Sequence, residues 1–468
     1  MIVWSVTVAP GFSKDETLVC FIPINNTEPY AKIELCNAWY RNDLIDDFHR
    51  RTSINGEQYT IERMNFAKRG CADDANLCEV VDINIGEEKT TEEIGTILDE
   101  NRFGVMYRKQ LERMSAAGTV GAYVRLDNAS YLDNGKVTGG DIRISYCFAE
   151  NYIPLRVVND EVTEAAFVGA DRTKAGERIT LVVFTLEQEF YRASTYVFDE
   201  NGKEIESYWI RLGDVKPFAV MRVAEVNNLK YMDGFGLPKV WNAIPVLKKL
   251  DLCNMVLNGD LDKGEKFVLT NEAIIEIDPE TGRPKPRDRM WKRLFVFLGK
   301  KPIDGKGYIQ EYNPVIRIDE ITKTFELCLS LFSMSFGFGS KKYTFENGQI
   351  QTATQYIGER QDAMQELNKQ RVEAESYISG IIRAVMWFSN TFKGTAYDLD
   401  AEICIDFDDS YIEDRNTAIQ NMREDALSFA DIPEFTIQYI MLRMNVDRDE
   451  ALKIYENRVE EQEPETED

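Results

Sequence analysis

The sequence predicts an α+β fold, because short β-rich runs fill its first half and long amphipathic helices dominate its second half. β-branched and aromatic residues alternate with turn signals in KVTGGDIRISYCF and in RITLVVFTLEQEFYRASTYVF. From residue 241 onward, apolar residues recur at spacings of three and four, as in helices that bury one face. A chain of 468 residues is long enough for a large core and more than one domain.

The charge of the chain excludes general affinity for nucleic acid or anionic lipid. The formal net charge is -25, and proteins that bind phosphates gather surplus Lys and Arg instead. The start, MIVWSVTVAP, lacks the basic and apolar regions of a signal peptide, and the sequence has no apolar run long enough to span a membrane. We therefore expect a protein made in a cytosol, with no membrane partner.

Two local elements are predicted in the first half. The stretch YVFDENGKEIESYWI is typical of a hairpin around Glu200-Asn201-Gly202, since Asn-Gly supplies the positive φ values of a tight turn. Residues 92–118 carry apolar side chains at helical spacing, which predicts one helix.

Two apolar helices are predicted further along the chain. The first covers 241–258, with Pro245 in its first turn and an apolar stripe of Val246, Leu247, Leu250, Cys253, Val256 and Leu257. The second covers IDEITKTFELCLSLFSMSF and carries Ile318, Ile321, Phe325, Cys328, Leu329 and Phe332 at spacings of three and four. It ends at Gly337-Phe338-Gly339-Ser340, which predicts a flexible break that carries Lys341 and Lys342.

The segment between these helices is β-rich and basic, which is unusual in so acidic a chain. Between residues 283 and 306 only Asp288 and Asp304 are acidic. The basic residues there are Arg283, Lys285, Arg287, Arg289, Lys292, Arg293, Lys300, Lys301 and Lys306.

A long helix is predicted from Thr352 to Asn390, spanning roughly 58 Å, with bends at Gly358 and Gly380. The stretch AEICIDFDDS then alternates apolar and polar residues as a strand does. The remaining sequence is helical in pattern and closes with the acidic tail EEQEPETED.

The motifs of common enzyme active sites are missing from the sequence. Asp406, Asp408 and Asp409 are candidate metal ligands, but only two of them share a strand face and no basic partner follows. FGFGSKK matches no phosphate-binding loop, and the single histidine, His49, is expected on an exposed helix face. We expect no catalytic residues, metal or cofactor.

The eight cysteines are spread without CxxC spacing, so free thiols are expected. Cys71 and Cys78 are close enough in sequence to bridge or to bind a metal, but two reduced thiols in a loop are the favoured interpretation.

The order of these parts resembles the portal protein of tailed bacteriophages, in the branch common in phages of Gram-positive hosts. The resemblance is carried by FAENYIPLRVVNDEVTEAAFV (148–168), WNAIPVLKKLDLCNMVL (241–257), TATQYIGER (352–360) and ICIDFDDSYIED (403–414), in that order. The chain has Gln355 where the family usually has Glu, and residues 1–80 show no match.

The resemblance implies a non-enzymatic protein that forms a ring, usually of twelve subunits, at one vertex of the capsid. Double-stranded DNA passes through the central channel without sequence specificity. Carried onto this chain, the parts are a wing (1–240), a first stem helix (241–260), a clip (261–316), a second stem helix (317–336), a tunnel loop (337–351), a long kinked wing helix with a strand (352–409), and a helical crown with the acidic tail (410–468).

The resemblance also implies site residues and partners. Ser340, Lys341 and Lys342 would lie on the tunnel loop, in the DNA channel. Arg283, Lys285, Arg287, Arg289, Lys292 and Arg293 would form a clip surface that docks the terminase large subunit during packaging and a head-tail connector afterwards. Major capsid and scaffolding proteins are further expected partners, and the virion is the expected location.

Two alternatives remain open at this point. One is another structural head or tail protein, such as a connector with a different stoichiometry. The other is a metal-dependent nuclease that uses Asp406, Asp408 and Asp409.

Overall fold

The chain is represented by a computed structural model with two compact units. The first unit comprises Met1–Ala75 and Ile97–Leu399, and the second comprises Asn76–Thr96 and Asp400–Asp468. The structure describes residues 4–7, 17–20, 27–53, 56–131, 137–173, 176–264, 267–270, 279–283, 295–297, 309–340, 342–343, 353–407, 422–423, 426–428, 433–444, 448 and 451–455. Over these ranges, every helix is too short or too polar to cross a membrane.

The described helices follow the pattern expected from the sequence, with long helices concentrated in the second half. The α-helices are α1 (Glu28–Tyr40), α2 (Asp46–His49), α3 (Phe66–Ala75), α4 (Glu88–Glu100), α5 (Phe103–Ala117), α6 (Lys239–Lys263), α7 (Ile318–Ser335), α8 (Ala353–Phe388) and α9 (Pro433–Met444).

The described strands lie mainly in the first half. They are β1 (Trp4–Thr7), β2 (Thr17–Cys20), β3 (Arg50–Thr52), β4 (Gln58–Thr60), β5 (Val80–Ile85), β6 (Thr119–Asp127), β7 (Ser130–Tyr131), β8 (Val137–Thr138), β9 (Asp141–Phe148), β10 (Tyr152–Val158), β11 (Glu161–Thr173), β12 (Gly176–Glu187), β13 (Phe190–Phe198), β14 (Glu204–Arg211), β15 (Phe218–Arg222), β16 (Phe267–Thr270), β17 (Phe295–Phe297), β18 (Ile309–Tyr312) and β19 (Ile403–Phe407). The α+β prediction is confirmed.

Two antiparallel sheets form the β-core of the first unit. One is a five-stranded meander in the order β10-β11-β12-β13-β14, and the other has the order β15-β6-β9. Their buried aromatic side chains meet, with ring centroids 5.1 Å apart for Tyr123 and Phe167 and 5.5 Å apart for Phe184 and Phe218. Such rings bury large apolar areas and therefore dominate the stability of the unit.

The predicted hairpin is confirmed as β13–β14, with Glu200, Asn201 and Gly202 in its turn, but Asn201 does not adopt the expected positive φ. Asp199 and Lys203 close the turn by a backbone hydrogen bond of 2.9 Å. The Asp199 carboxylate accepts from the backbone N–H groups of Asn201 (3.0 Å) and Lys203 (2.8 Å). Only Gly202 needs the left-handed conformation (φ 74°), because the aspartate side chain supports the rest of the turn.

The helical character predicted for 92–118 is confirmed, but the structure divides this stretch into two helices, α4 and α5. The chain breaks between α4 and α5 at Arg102, which adopts φ 54°. The neighbouring Asn101 side chain bonds the backbone of β9: its amide donates to Ile142 O (3.3 Å) and its oxygen accepts from Ile144 N–H (2.9 Å). Apolar spacing alone carries no sign of this break, since the partner strand lies 40 residues away along the chain.

The predicted long helix is confirmed as α8, which has 36 residues and spans about 54 Å. It continues through Gly358 and Gly380, and the bends predicted at these two residues stay a prediction. Gly380 allows close packing on β15, since an added Cβ would lie 3.2 Å from the Cβ of Ala219. The irregular part is a π-helical turn at Ser389–Lys393.

Polar side chains also hold α8 against the sheet and α5. The Tyr377 hydroxyl donates to Gln110 Oε1 at 2.5 Å, and Gln110 Nε2 donates to Gly121 O at 2.9 Å. Gln370 accepts from the backbone N–H of Ala224 (3.0 Å) and donates to Arg222 O (3.0 Å). Because these groups are buried, each bond also removes the penalty of an unpaired polar atom.

In the second unit, β19 pairs with β5 in antiparallel register, with Ile405 opposite Ile83. Along β19 exposed residues alternate with half-buried ones, so the strand predicted from AEICIDFDDS is confirmed. Ile437 and Ile440 of α9 form a small apolar cluster with Ala451.

Candidate functional site

The two predicted apolar helices, α6 and α7, pack against each other in the first unit. On α6, Leu247 and Leu250 are buried, and on α7, Cys328, Leu329 and Phe332 are buried. These residues belong to the predicted apolar stripes, so both helices are confirmed, and their predicted faces are buried in part, since Val256 and Ile318 are exposed. We name α6 and α7 together the helix pair.

α6 begins at Lys239, two residues earlier than predicted, so Pro245 lies in the second turn rather than the first. Proline has no N–H, and the carbonyl of residue 241 therefore lacks its intrahelical donor. Packing of Val240, Ala243 and Leu247, each at most 1% exposed, holds the helix in spite of this loss.

The C-terminal end of α6 is joined to the start of α7 by an ion pair that the sequence did not reveal. Arg317 donates to both carboxylate oxygens of Asp260, at 2.8 and 2.9 Å. One turn further, the side chain of Ile316 lies over Gly264, where an added Cβ would be 2.9 Å from it. Two-point guanidinium–carboxylate contacts orient both partners, so this end of the helix pair has a defined antiparallel register.

The helix pair exposes several large apolar side chains. Leu327 is 61% exposed and Met334 is 58% exposed, and both lie on one face of α7 because they are seven residues apart. Val256, Leu261 and Ile318 are also exposed. An apolar groove of about 290 Å³ lies between the helices and is lined by Leu252, Cys253, Val256, Arg317, Glu320, Ile321 and Thr324. Apolar surface of this kind marks contacts with other protein chains.

The segment after α7 is anchored by aromatic packing, whereas a flexible break was predicted. Phe338 is 3% exposed and stacks on Phe336, with ring centroids 6.0 Å apart. Tyr343 packs edge-on against Phe338 at 6.2 Å, and its hydroxyl donates to Asp73 Oδ2 at 2.7 Å. The flexible interpretation of Gly337 to Ser340 is therefore wrong at its start, because Phe338 is a core residue between two glycines.

The predicted tunnel-loop residues are only partly described. Ser340 and Lys342 are exposed. The Lys342 Nζ lies 5.6 Å from the centre of the Phe338 ring, a cation–π distance. Lys341 lies outside the described residues.

The predicted clip contains a small sheet in the order β17-β16-β18, with β16 parallel to β17 and antiparallel to β18. This agrees with the β-rich character expected of the segment. Arg283 is exposed, and the other five predicted docking residues lie outside the described residues: Lys285, Arg287, Arg289, Lys292 and Arg293.

A buried ionic cluster lies where α6 begins, and sequence analysis missed it. Lys239 Nζ is 2.8 Å from Asp74 Oδ1 and 3.2 Å from Glu366 Oε1. All three side chains are at most 9% exposed, and the Ser115 hydroxyl also donates to Asp74. Burial by itself lowers the pKa of Lys239, but the two carboxylates outweigh it and raise that pKa above its usual range. The ion pairs of this cluster therefore connect α3, α6 and α8.

The cluster also touches the segment after α7. Gly337 adopts φ 80°, and an added Cβ would lie 2.9 Å from Glu366 Cγ. The turn that leaves α7 is thus packed directly on a member of the ionic cluster.

The prediction of an exposed His49 is wrong, since the ring is fully buried against α6. His49 Nδ1 accepts from the backbone N–H of Ile45 (3.0 Å), so Nε2 carries the proton that faces Asp251 Oδ2 (3.1 Å). Asp251 Oδ1 accepts from Met64 N–H (2.7 Å), and burial raises the pKa of Asp251. The pair fixes α2 on α6, a structural role that an isolated histidine in a sequence does not reveal.

The candidate metal ligands are not assembled among the described residues. Within them, no group of three or more His, Cys, Asp and Glu side chains could hold a metal ion. Asp406 is exposed on β19, and Asp408 and Asp409 lie outside the described residues. Cys71 and Cys78 are buried and are not joined by a disulfide; they lie in α3 and in a 3₁₀ turn, whereas a loop was expected.

Comparison with known proteins agrees with the observed order of sheets, helix pair, basic segment and long helix. The sequence model of the family described as phage portal protein, SPP1 Gp6-like, matches residues 77–428, which is well over half of the chain. The match includes the main sheets, the helix pair, the basic segment and the long helix α8. No curated protein matches the chain. The chain therefore belongs to the phage portal protein family of the SPP1 Gp6-like type, a family of structural virion components.

Proposed function

We propose that the protein assembles into a ring of twelve copies at one vertex of the capsid, around a channel for double-stranded DNA. DNA enters through the channel during packaging and leaves through it during ejection. The observation that carries this proposal is the helix pair, which leaves Leu327 and Met334 on a water-exposed apolar face in the single chain. In a ring, a neighbouring copy covers such a face.

The parts keep the roles assigned from the sequence, with bounds adjusted to the observed helices. The stem helices are α6 and α7, the clip lies between them, and the tunnel loop follows α7. The net charge of -25 per chain supports passage without tight binding, because a predominantly acidic wall repels the DNA phosphates.

The assembly test is negative-stain electron microscopy of the purified full chain, with mass photometry of the same sample. We expect closed rings with a central hole and a mass near twelve protomers of 53.8 kDa each. A compact small oligomer without a hole would favour another head or tail protein.

The tunnel-loop lysines are proposed to touch the phosphates of moving DNA transiently. The double variant Lys341→Ala/Lys342→Ala should therefore alter the amount of DNA packaged per procapsid, because two charges per subunit leave the channel. Packaging would be measured as nuclease-protected DNA, with Arg50→Ala/Lys89→Ala, two exposed basic residues outside the helix pair, as the control. Packaging equal to that of the control would contradict the proposed contact.

The basic clip is proposed to dock the terminase large subunit and then the head-tail connector through opposite charge. Reversing Arg287, Arg289, Lys292 and Arg293 to Glu should abolish connector binding in a pull-down assay. Reversing Arg50 and Lys89, which are exposed elsewhere on the chain, should leave binding intact. Retained binding in the clip variant would rule out this surface. Major capsid and scaffolding proteins are the proposed partners of the remaining outer surface.

A further inference from the structure

Two cysteines lie on the facing sides of the helix pair. Cys253 of α6 is seven residues before Asp260 and eleven before Gly264, so it shares their helix face. That face is directed at α7, since Asp260 binds Arg317 and Gly264 packs on Ile316.

The antiparallel register brings Cys328 opposite Cys253. Gly264 packs on Ile316, and the two helices run in opposite directions. The residue eleven before Gly264 is Cys253, and it therefore lies level with the residue eleven after Ile316, which is residue 327, next to Cys328. Cys253 also lines the groove with Ile321 and Thr324, which precede Cys328 by seven and four residues on the same face. The interhelical packing therefore juxtaposes the two thiols.

The two thiols differ in how far solvent reaches them. Cys253 is partly exposed at the groove, while Cys328 is 4% exposed. Burial first, and then the neighbouring Cys328 thiol, raise the pKa of Cys253 to about 11. Arg317 and Glu320 of α7 are the charged side chains that line the groove with it. At neutral pH the reactive thiolate is scarce, and alkaline pH is needed for rapid exchange.

We propose that Cys253 and Cys328 form a modification site that accepts an intrachain disulfide from low-molecular-weight disulfides. The Cys253 thiolate attacks a small disulfide such as oxidised glutathione, forms a mixed disulfide and releases one glutathione thiolate. The Cys328 thiolate then attacks the Cys253 sulfur, forms the cystine and releases the second glutathione. The two protein thiols are oxidised, and one glutathione disulfide is reduced to two thiols.

The cystine would link α6 and α7 covalently at their midpoints. It would close a covalent loop that contains the whole clip segment. Sliding of one helix along the other would then be blocked, whether or not the chain is in a ring. This site goes beyond the portal function and does not rest on the proposed assembly.

The experiment treats the full chain with excess oxidised glutathione at pH 9 and continues well beyond full modification of the exposed Cys404, because the raised pKa of Cys253 slows its reaction. A non-reducing tryptic digest is then analysed by mass spectrometry. Trypsin releases Cys253 in LDLCNMVLNGDLDK and Cys328 in TFELCLSLFSMSFGFGSK, each with one cysteine. We expect these two peptides to be disulfide-linked in most chains, and Cys404 to carry a glutathione adduct.

Cys404→Ser should leave the cross-link unchanged, whereas Cys253→Ser should abolish it. The proposal is overturned if the two peptides carry separate glutathione adducts, or if both stay unmodified at the end of this extended treatment. A disulfide-linked dimer on a non-reducing gel of Cys404→Ser would also overturn it, because the bond would then join two chains.

Discussion

Replacing Lys239 by Met is expected to lower the free energy of unfolding by about 3–5 kcal/mol. The substitution keeps an unbranched side chain but leaves Asp74 and Glu366 buried without their shared cation, which now lies 2.8 and 3.2 Å from them. The raised pKa of Lys239 means that its charge, and its contribution to stability, is present throughout the neutral range and lost only at strongly alkaline pH. Thermal and urea unfolding of the full chain would measure the loss.

Lys369→Met is the matched control for this prediction. Lys369 lies 3.7 Å from the same Glu366 carboxylate, but its side chain is 61% exposed. Solvent screens exposed ion pairs, so the control should change stability by about 0.5 kcal/mol or less. Equal stability of the two variants would contradict the role of the cluster.

The double variant Leu327→Asp/Met334→Asp is expected to abolish ring assembly while the single chain stays folded. Both side chains are more than half exposed in the single chain, so folding loses little. In the proposed ring, each interface would instead bury two carboxylates and lose about 3 kcal/mol of apolar contact. This loss corresponds to a more than hundredfold weaker association at each interface. Mass photometry should show monomers, and circular dichroism should show an unchanged helix content.

Thr322→Asp tests whether charge alone disrupts the ring. It adds a carboxylate to an exposed position of α7 that lies about 140° around the helix from Leu327. We expect this variant to keep the ring. Rings formed by the double Asp variant would show that the apolar face of α7 is not an interface.

The long elements could be predicted from the sequence, because each carries its own periodic signal. The apolar stripes of α6 and α7 located both helices to within a few residues, and the alternation of β19 located its strand. Most failures involve partners distant in sequence. The stretch 92–118 divides into two helices next to Asn101, whose side chain bonds the backbone of β9.

Some features of the candidate site could be predicted from local sequence patterns, and others depend on tertiary contacts. The basic clip and the loop after α7 could be found from composition and glycine spacing alone. The partners of Lys239 come from residues 74 and 366, so no local window of sequence contains the cluster. His49 gave a wrong prediction for the same reason, since its partner Asp251 is 202 residues away.

By itself, the sequence determined the α+β class, the order of the parts and the resemblance to portal proteins, because periodicity, charge and motif order are local properties of the chain. Only the tertiary structure decided which charges are buried, where the chain after α7 is anchored, and that Cys253 and Cys328 face each other. These features depend on desolvation and on contacts between residues far apart in sequence. Such contacts exist only once the helices have packed.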